Sequence, residues 1–447
     1  MEYISDTERR FGISQEPYGL VLNELTQAEE TGHDVGPLRA RFEGLRSSGE
    51  DDEALKAIYA DIPLAPAAEW PYFEGSDLEE IRAELDHASP SAPPTEALAD
   101  KVRGAWHGRV VGNMLGKPVE FGFSRPVLRS YLEARDAYPL VDYVPIDLDR
   151  LEEEGFGMGA LLPYAELARG SIVGGVRDDD VDYTILGLHL LETYGPDLRT
   201  FDIAREWLTR LPAYQTYTAE RAAYQNLVRE VPLEEVGAFH NPYREWIGAL
   251  IRADIFGMVH PGDPRRAAEF AHRDAILSHR ANGVYGEMWA AALIASAFTA
   301  ESPAASVRES LRHIPARSRL AEEIRRVLED HAAGRSWDEA AEAIDARHPA
   351  MSWVHTINNA GALAAALLWG EGDFTRTVAL AVQAGLDTDS IGATAGAWAG
   401  IFVGYSRIPR HWLEPLRGRT VSAVFGYGSI DLEQQSQRTL RAIEVFG

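Results

Sequence analysis

The stretch 385–404, GLDTDSIGATAGAWAGIFVG, decides the reading of this chain. From Ile391 onward it is apolar and small, and glycine recurs every fourth residue at Gly392, Gly396, Gly400 and Gly404. A four-residue period places these positions on one face of an α-helix, where they make a bare stripe. Glycine inside a helix costs about 1 kcal/mol relative to alanine, so a stripe needs a reason. A second stripe, Gly104, Gly108, Gly112 and Gly116, lies almost 300 residues earlier. Unusually close packing, with these two helices against each other, is the expected reason. A membrane dimer built on GxxxG is the competing explanation. It fails on length, and on His107 and Arg109 inside the first stripe.

Around these stripes the period is helical from Leu98 to about Tyr405. The runs TILGLHLLETYG, RRAAEFAHRDAIL, GEMWAAALIASAF, INNAGALAAALLWG and FTRTVALAVQAG place apolar residues three and four apart. Alternating patterns are confined to ambiguous pieces near Val141–Ile146 and Val421–Phe425. The fold class is therefore all-α, a compact orthogonal multi-helix domain. Residues 1–97 are expected to form a mostly helical extension ending in the linker-like HASPSAPPTEA, and 98–420 the main domain. Residues 421–447 should pack back on it through a last amphipathic helix near 431–445.

Composition excludes several classes. The 447 residues are 45% hydrophobic and 25% charged, an ordinary globular balance. Lys and Arg number 43 against 69 Asp and Glu, and the net charge of −26 repels nucleic acid, with no basic block to offset it. Cysteine is absent, which rules out disulfides, thiolate catalysis and Cys-ligated metals. The acidic, polar MEYISDTERRFG lacks the apolar core of a signal peptide. No apolar run approaches the roughly 20 residues that span a bilayer. A cytoplasmic protein without membrane partners is expected, and the oligomeric state stays open. No GxSxG, Walker A or GxGxxG element occurs.

What remains is acid. The 385–404 stretch opens with Asp387, Asp389 and Ser390, and GGVRDDDVDYTILGLHLLE (174–192) carries Asp178, Asp179 and Asp180. One N-cap needs one carboxylate, and each cluster supplies more than a cap requires. If the fold brings them together, five carboxylates must keep protons or gather cations. An all-oxygen donor set suits Mg²⁺ or Mn²⁺ rather than Zn²⁺. A third segment, GRVVGNMLGKPVEFG (108–122), ends its striped helix at Gly116, and Pro118 forbids continuation, leaving Lys117 and Glu120 on a loop.

Taken in this order, the three segments resemble the ADP-ribosylglycohydrolase family, in particular a bacterial branch with GKPVE and DDD-x-x-YT motifs. The likeness covers about residues 98–410. It implies an all-α fold holding two Mg²⁺ (or Mn²⁺) in a cleft, with Asp178, Asp179, Asp180, Asp387, Asp389 and Ser390 as ligands. It also implies Glu120 as the loop glutamate near the scissile bond, with Asp179 as a further acceptor of the water proton. Two positions depart from the family pattern: Val181 replaces a usual Thr and Asn113 a usual Asp, while Asp178 stands where Thr is common. Lys117, His279, Asn282, Gly283, Tyr285, Gly286, His355 and Asn358 are the expected substrate contacts. His279 as a helix C-cap, and His355, Asn358 and Asn359 as N-caps, are equally open readings. The implied reaction is hydrolysis of an N- or O-glycosidic bond at C1 of a ribose, in an ADP-ribosylated substrate. A small-molecule N-ribosyl hydrolase acting on a nucleoside, nucleotide or NAD-derived metabolite is the alternative. A non-catalytic ADP-ribose- or nucleotide-binding protein is a third.

Overall fold

The structure is a computed structural model that describes residues 17–48, 52–85, 97–147 and 162–446. The segment MEYISDTERRFG and nearly all of the proline-rich connector lie outside those residues. At the centre stand the two striped helices, α4 (Leu98–Gly116) and α9 (Thr388–Val403). They pack antiparallel with almost no side chain between them. A methyl group on Gly104, Gly108 or Gly112 would overlap the carbonyl oxygen of Gly400, Gly396 or Gly392 respectively, and one on Gly116 would overlap that of Thr388. The glycines are there because backbone meets backbone.

This pairing sets the position of everything functional. Because the helices run in opposite directions, the C-terminal end of α4, and with it Lys117 and Glu120, arrives at the N-terminal end of α9. Thr388 Oγ1 donates to the Gly116 carbonyl (2.9 Å) and locks the junction. Around the pair, α7 (Thr356–Gly370) and α8 (Phe374–Gln383) pack on α9, with α6 (Asn282–Ala297) against α7 and α9. Among the described residues one large apolar core runs through these elements, including Trp106, Trp289, Trp398 and Trp412.

The acidic helix α5 (Asp179–Tyr194) starts at an N-cap, Asp178, whose carboxylate accepts from the Asp180 N–H (3.0 Å). It is tied to α4 by Arg109, which is fully buried, pairs with Asp254 and donates to the Asp180 carbonyl (2.7 Å). Val181 is buried in the apolar core.

The C-terminal segment is more than a packed tail. A two-stranded antiparallel ribbon, β1 (Arg419–Val421) with β2 (Ser429–Asp431), pairs Thr420 opposite Ile430. Gly175 N–H donates to the Arg419 carbonyl (2.9 Å), Thr420 to the Val176 carbonyl (3.2 Å), and Ala423 N–H to Asp182 (3.0 Å). The ribbon thus holds the irregular segment leading into Asp178. The final helix α10 (Leu432–Phe446) lies on α4, where Trp106 donates to Thr439 (2.9 Å). The alternation near Val421 marks the end of a true strand, whereas Val141–Ile146 is irregular.

At the other end, α1 (Pro17–Glu30), α2 (Gly36–Ser48) and α3 (Asp52–Asp61) share a small core of their own, built on Val21, Leu25, Phe42, Leu55 and Ile58. The opposite face of α1 is polar and docks on the main domain. Glu24 pairs with Arg244 (2.7 Å), Gln27 donates to Glu245 (3.2 Å), and Glu30 faces His355 (3.4 Å). Spacings of three residues put all three on one helix face.

Candidate functional site

The two acidic clusters meet. Oxygens of Glu120, Asp387 and Asp389 lie within 4.8 Å of one another, and so do oxygens of Asp178, Asp180 and Asp389. Asp389 belongs to both groups. Each position has a local cause: Asp387 N–H donates to Asn359 Oδ1 (3.1 Å), and Ser390 N–H donates to Asp389 Oδ1 (3.1 Å). Ser390 Oγ reaches Asp180 Oδ2 at 3.5 Å. Asp179 lines the cavity beside them but enters neither group.

So many acids in one buried place cannot all stay ionised. Burial first, then Asp389 and Asp387, push the Glu120 carboxyl well above its ordinary range. Burial and the neighbouring acids do the same to Asp180 and Asp387. Asp389 is raised by burial and Asp178. Asp179 is lifted to about 8 by burial and by the Asp178 charge. Asp178 goes the other way: burial opposes its charge, but the Lys117 ammonium and hydrogen bonds hold it at about 2. Lys117 Nζ bonds Asp178 and stands 4.0 Å from Asp389. The site thus relieves its repulsion with retained protons and one internal cation.

The donor set fits hard divalent ions. Every candidate ligand is an oxygen, two carboxylate triads share one member, and Asp180 Oδ1 is buried without a hydrogen-bond partner. A buried carboxylate oxygen without a hydrogen-bond partner suits a hard cation as its partner.

Above the acids opens a cavity of about 350 Å³. Its walls are aromatic and basic: Phe121, Tyr164, Tyr214, Tyr217, Trp246, Trp353, Arg177 and Arg221. Phe121 and Trp353 meet edge to face, 5.4 Å between centroids. Arg177 is held by Asp182 (2.8 Å) and the Gln215 carbonyl (3.0 Å) and touches Tyr217 Oη at 3.5 Å. At the rim Tyr214 is 72% exposed. Sequence reasoning missed these wall residues. Arg177 and Phe121 lie within the acidic and GKPVE segments and Trp353 two residues before His355, but single aromatics and arginines carry no spacing signal.

Several expected substrate contacts lie elsewhere. His279, Asn282, Gly283, Tyr285, Gly286, His355 and Asn358 do not line the cavity. His279 is fully buried beside Ser278 (2.8 Å), and burial and then Arg252 depress its basicity. Asn282 donates to Glu74 (3.0 Å) and accepts from Leu320 N–H (3.0 Å), and Tyr285 donates to the Gly75 carbonyl. Gly283 and Gly286 admit Arg244 and Thr356 into close packing. The start of α6 therefore faces residues 74–76 of the N-terminal region. His355 is an N-cap: in its neutral form the ring accepts from Ile357 N–H (3.2 Å). Asn358 bonds the Ser352 carbonyl (2.9 Å), and Asn359 supports Asp387. Lys117 does line the cavity, with its charge engaged by Asp178.

Comparison with known proteins agrees with this architecture. The model of the ADP-ribosylglycohydrolase family matches residues 94–440, reaching beyond residue 420 into the ribbon and last helix. The chain belongs to the ADP-ribosylglycohydrolase family and is a glycoside-hydrolysing enzyme. An uncharacterized protein of Archaeoglobus fulgidus is 26% identical over 325 residues, 72% of this chain and 93% of that one. A solved structure, an ADP-ribosylglycohydrolase-related protein complex, superimposes with a TM-score of 0.51 at 20% identity. It covers 78% of this chain and 99% of its own, which shows the shared helical fold. Among the described residues no helix is long and apolar enough to cross a membrane.

Proposed function

We propose that this protein hydrolyses the N- or O-glycosidic bond at C1 of a ribose in an ADP-ribosylated substrate, with two Mg²⁺ or Mn²⁺ ions at the two carboxylate triads. One observation carries the reading: triads sharing Asp389 lie at the base of a cavity walled by aromatic rings and arginines. Glu120, Asp387 and Asp389 would hold one ion, and Asp178, Asp180 and Asp389 the other, with Ser390 beside them. When bound, such ions orient vicinal ribose hydroxyls and lower the pKa of water.

The chain's own residues do the rest. Asp179, which lines the cavity outside both triads, accepts the proton of the attacking water. Glu120, which lines the cavity beside Asp387 and Asp389, relays a proton toward the leaving atom through the carboxylate oxygen that does not hold the ion. Arg177 and Arg221 offset a diphosphate, and Tyr214, Tyr217 and Trp353 offer faces for a base. Arg177 keeps its charge against burial because Asp179 and Asp182 stand close. None of the described residues 17–85 lines the cavity, and Tyr214 stands open at its rim, which favours a substrate carried on a larger molecule.

The test is a panel of ADP-ribosyl-Arg, ADP-ribosyl-Ser, ADP-ribosyl phosphate and free nucleosides, incubated with Mg²⁺ and followed by release of the ribosyl product. One or more ADP-ribosyl conjugates should turn over, and Asp389→Ala should fall to background while staying folded. Turnover of nucleosides alone, or an undiminished Asp389→Ala, would overturn the assignment.

A further inference from the structure

The two triads differ in what already occupies them. In the Asp178–Asp180–Asp389 group, Lys117 Nζ bonds Asp178 and stands 4.0 Å from Asp389, so an ammonium faces two of the three members. No ion pair to Glu120 or Asp387 exists among the described residues: Lys117 reaches the other triad within ion-pair distance only at Asp389 and acts on Glu120 from farther away. The Lys117 group is still incomplete: Asp180 is 2% exposed, its Oδ1 has no hydrogen-bond donor, its Oδ2 has a 3.5 Å contact from Ser390, and its other close neighbour is the Asp178 carboxylate. A lysine ammonium carries three donors and one charge and cannot satisfy three carboxylates. Lys117 also lines the open cavity, so its flexible stem has a place to go.

We propose that Lys117 makes the two sites unequal: the Glu120–Asp387–Asp389 triad takes a divalent ion tightly, while the Asp178–Asp180–Asp389 triad is already held by the lysine and takes a second ion weakly, only as that ammonium swings into the cavity. The inference rests on the divalent-ion reading above. Its chemical logic is charge balance. Asp178 and Lys117 together add no net charge, so the extra aspartate does not strengthen the second site. An ammonium within hydrogen-bond reach of a ligand repels an incoming dication directly. An anionic group entering the cavity would draw Lys117 away and favour the second ion, so substrate and second ion would bind cooperatively.

The experiment is Mn²⁺ binding to the full chain, by calorimetry and by the free-Mn²⁺ electron paramagnetic resonance signal, with no substrate and no activity readout. The wild type should bind one ion tightly and a second at least about tenfold more weakly, given a unit charge this close. Lys117→Met should bring the second affinity up toward the first, and Lys117→Arg should leave the two unequal. Asp387→Asn should lose the tight ion, and Asp180→Asn only the weak one. Two equal ions in the wild type, or the tight ion lost in Asp180→Asn and kept in Asp387→Asn, overturn the inference. So does a second site that folded Lys117→Met leaves unchanged. Should Lys117→Met fail to fold, the Asp387→Asn and Asp180→Asn pair still decides which triad is tight. A wild type that binds no Mn²⁺ sinks the divalent-ion reading itself, and the inference with it.

Discussion

Gly112→Ala adds a single methyl group, and the structure predicts that it damages both stability and the site. The new Cβ would overlap the carbonyl oxygen of Gly392, which belongs to the helix backbone and cannot rotate aside. Alanine gains up to about 1 kcal/mol over glycine in helix propensity. Against this, overpacking costs about 1–3 kcal/mol, and a rigid backbone neighbour puts this site at the upper end. Relieving the overlap requires α4 and α9 to part by roughly 1.5 Å or more, the distance needed to restore ordinary van der Waals separation. That movement acts one turn on, where Gly116 meets Thr388 between the triad members Asp387 and Asp389. Metal–ligand distances tolerate only about 0.2 Å, so Mg²⁺ affinity should fall at least about tenfold. The control is Gly44→Ala in α2, where nothing lies within 4 Å of the added methyl. There the helix gain is unopposed, and the melting temperature should hold or rise. Thermal melts with and without Mg²⁺ read both effects. A Gly112→Ala protein that melts at the wild-type temperature and keeps its full Mg²⁺-induced shift would refute the argument that backbone contact sets the site.

Two further outcomes follow from charges away from the triads. Burial works against the charge of His355, but Glu30 and Glu245 raise it to about 9. Its stabilising contribution is complete below about pH 6.5, declines as pH rises and is gone above about 9, and it amounts to at most about 3 kcal/mol. His355→Gln should therefore melt well below wild type at pH 6 and close to it at pH 9.5, and an equal gap at both pH values would contradict the ion-pair origin. Arg177→Met, which removes a cavity-wall cation held by Asp182 and Gln215, should raise KM for a diphosphate-bearing substrate about 10–100-fold with a smaller change in kcat. A change confined to kcat would place Arg177 in the chemistry rather than in binding.

The same interactions that these predictions probe explain why parts of the site were legible in the sequence and others were not. Asp178–Asp180 and Asp387–Ser390 announce themselves because an N-cap uses one acid and each cluster exceeds it. Glu120 is visible through the helix stop at Pro118. By contrast His279, Asn282 and Tyr285 carry site-like chemistry in site-like spacing, yet they face Ser278, Glu74 and Gly75. Nothing local distinguishes a polar side chain that meets ligand from one that meets another segment of the same chain. Tyr214, Tyr217 and Trp246 show the converse: they wall the cavity without any pattern around them.

By itself, then, the sequence determined the helices, the close approach of two glycine-striped segments, and the oxygen-only chemistry of the acidic clusters, because periodicity, capping and donor type act over a few residues. Tertiary structure decided that α4 meets α9 antiparallel, which carries Glu120 to Asp387 and Asp389. It also decided that Lys117 lies on Asp178, that the C-terminal ribbon holds the approach to α5, and that α1 docks on Glu245 and His355. Those contacts join residues tens to hundreds of positions apart, and their geometry depends on how whole helices pack.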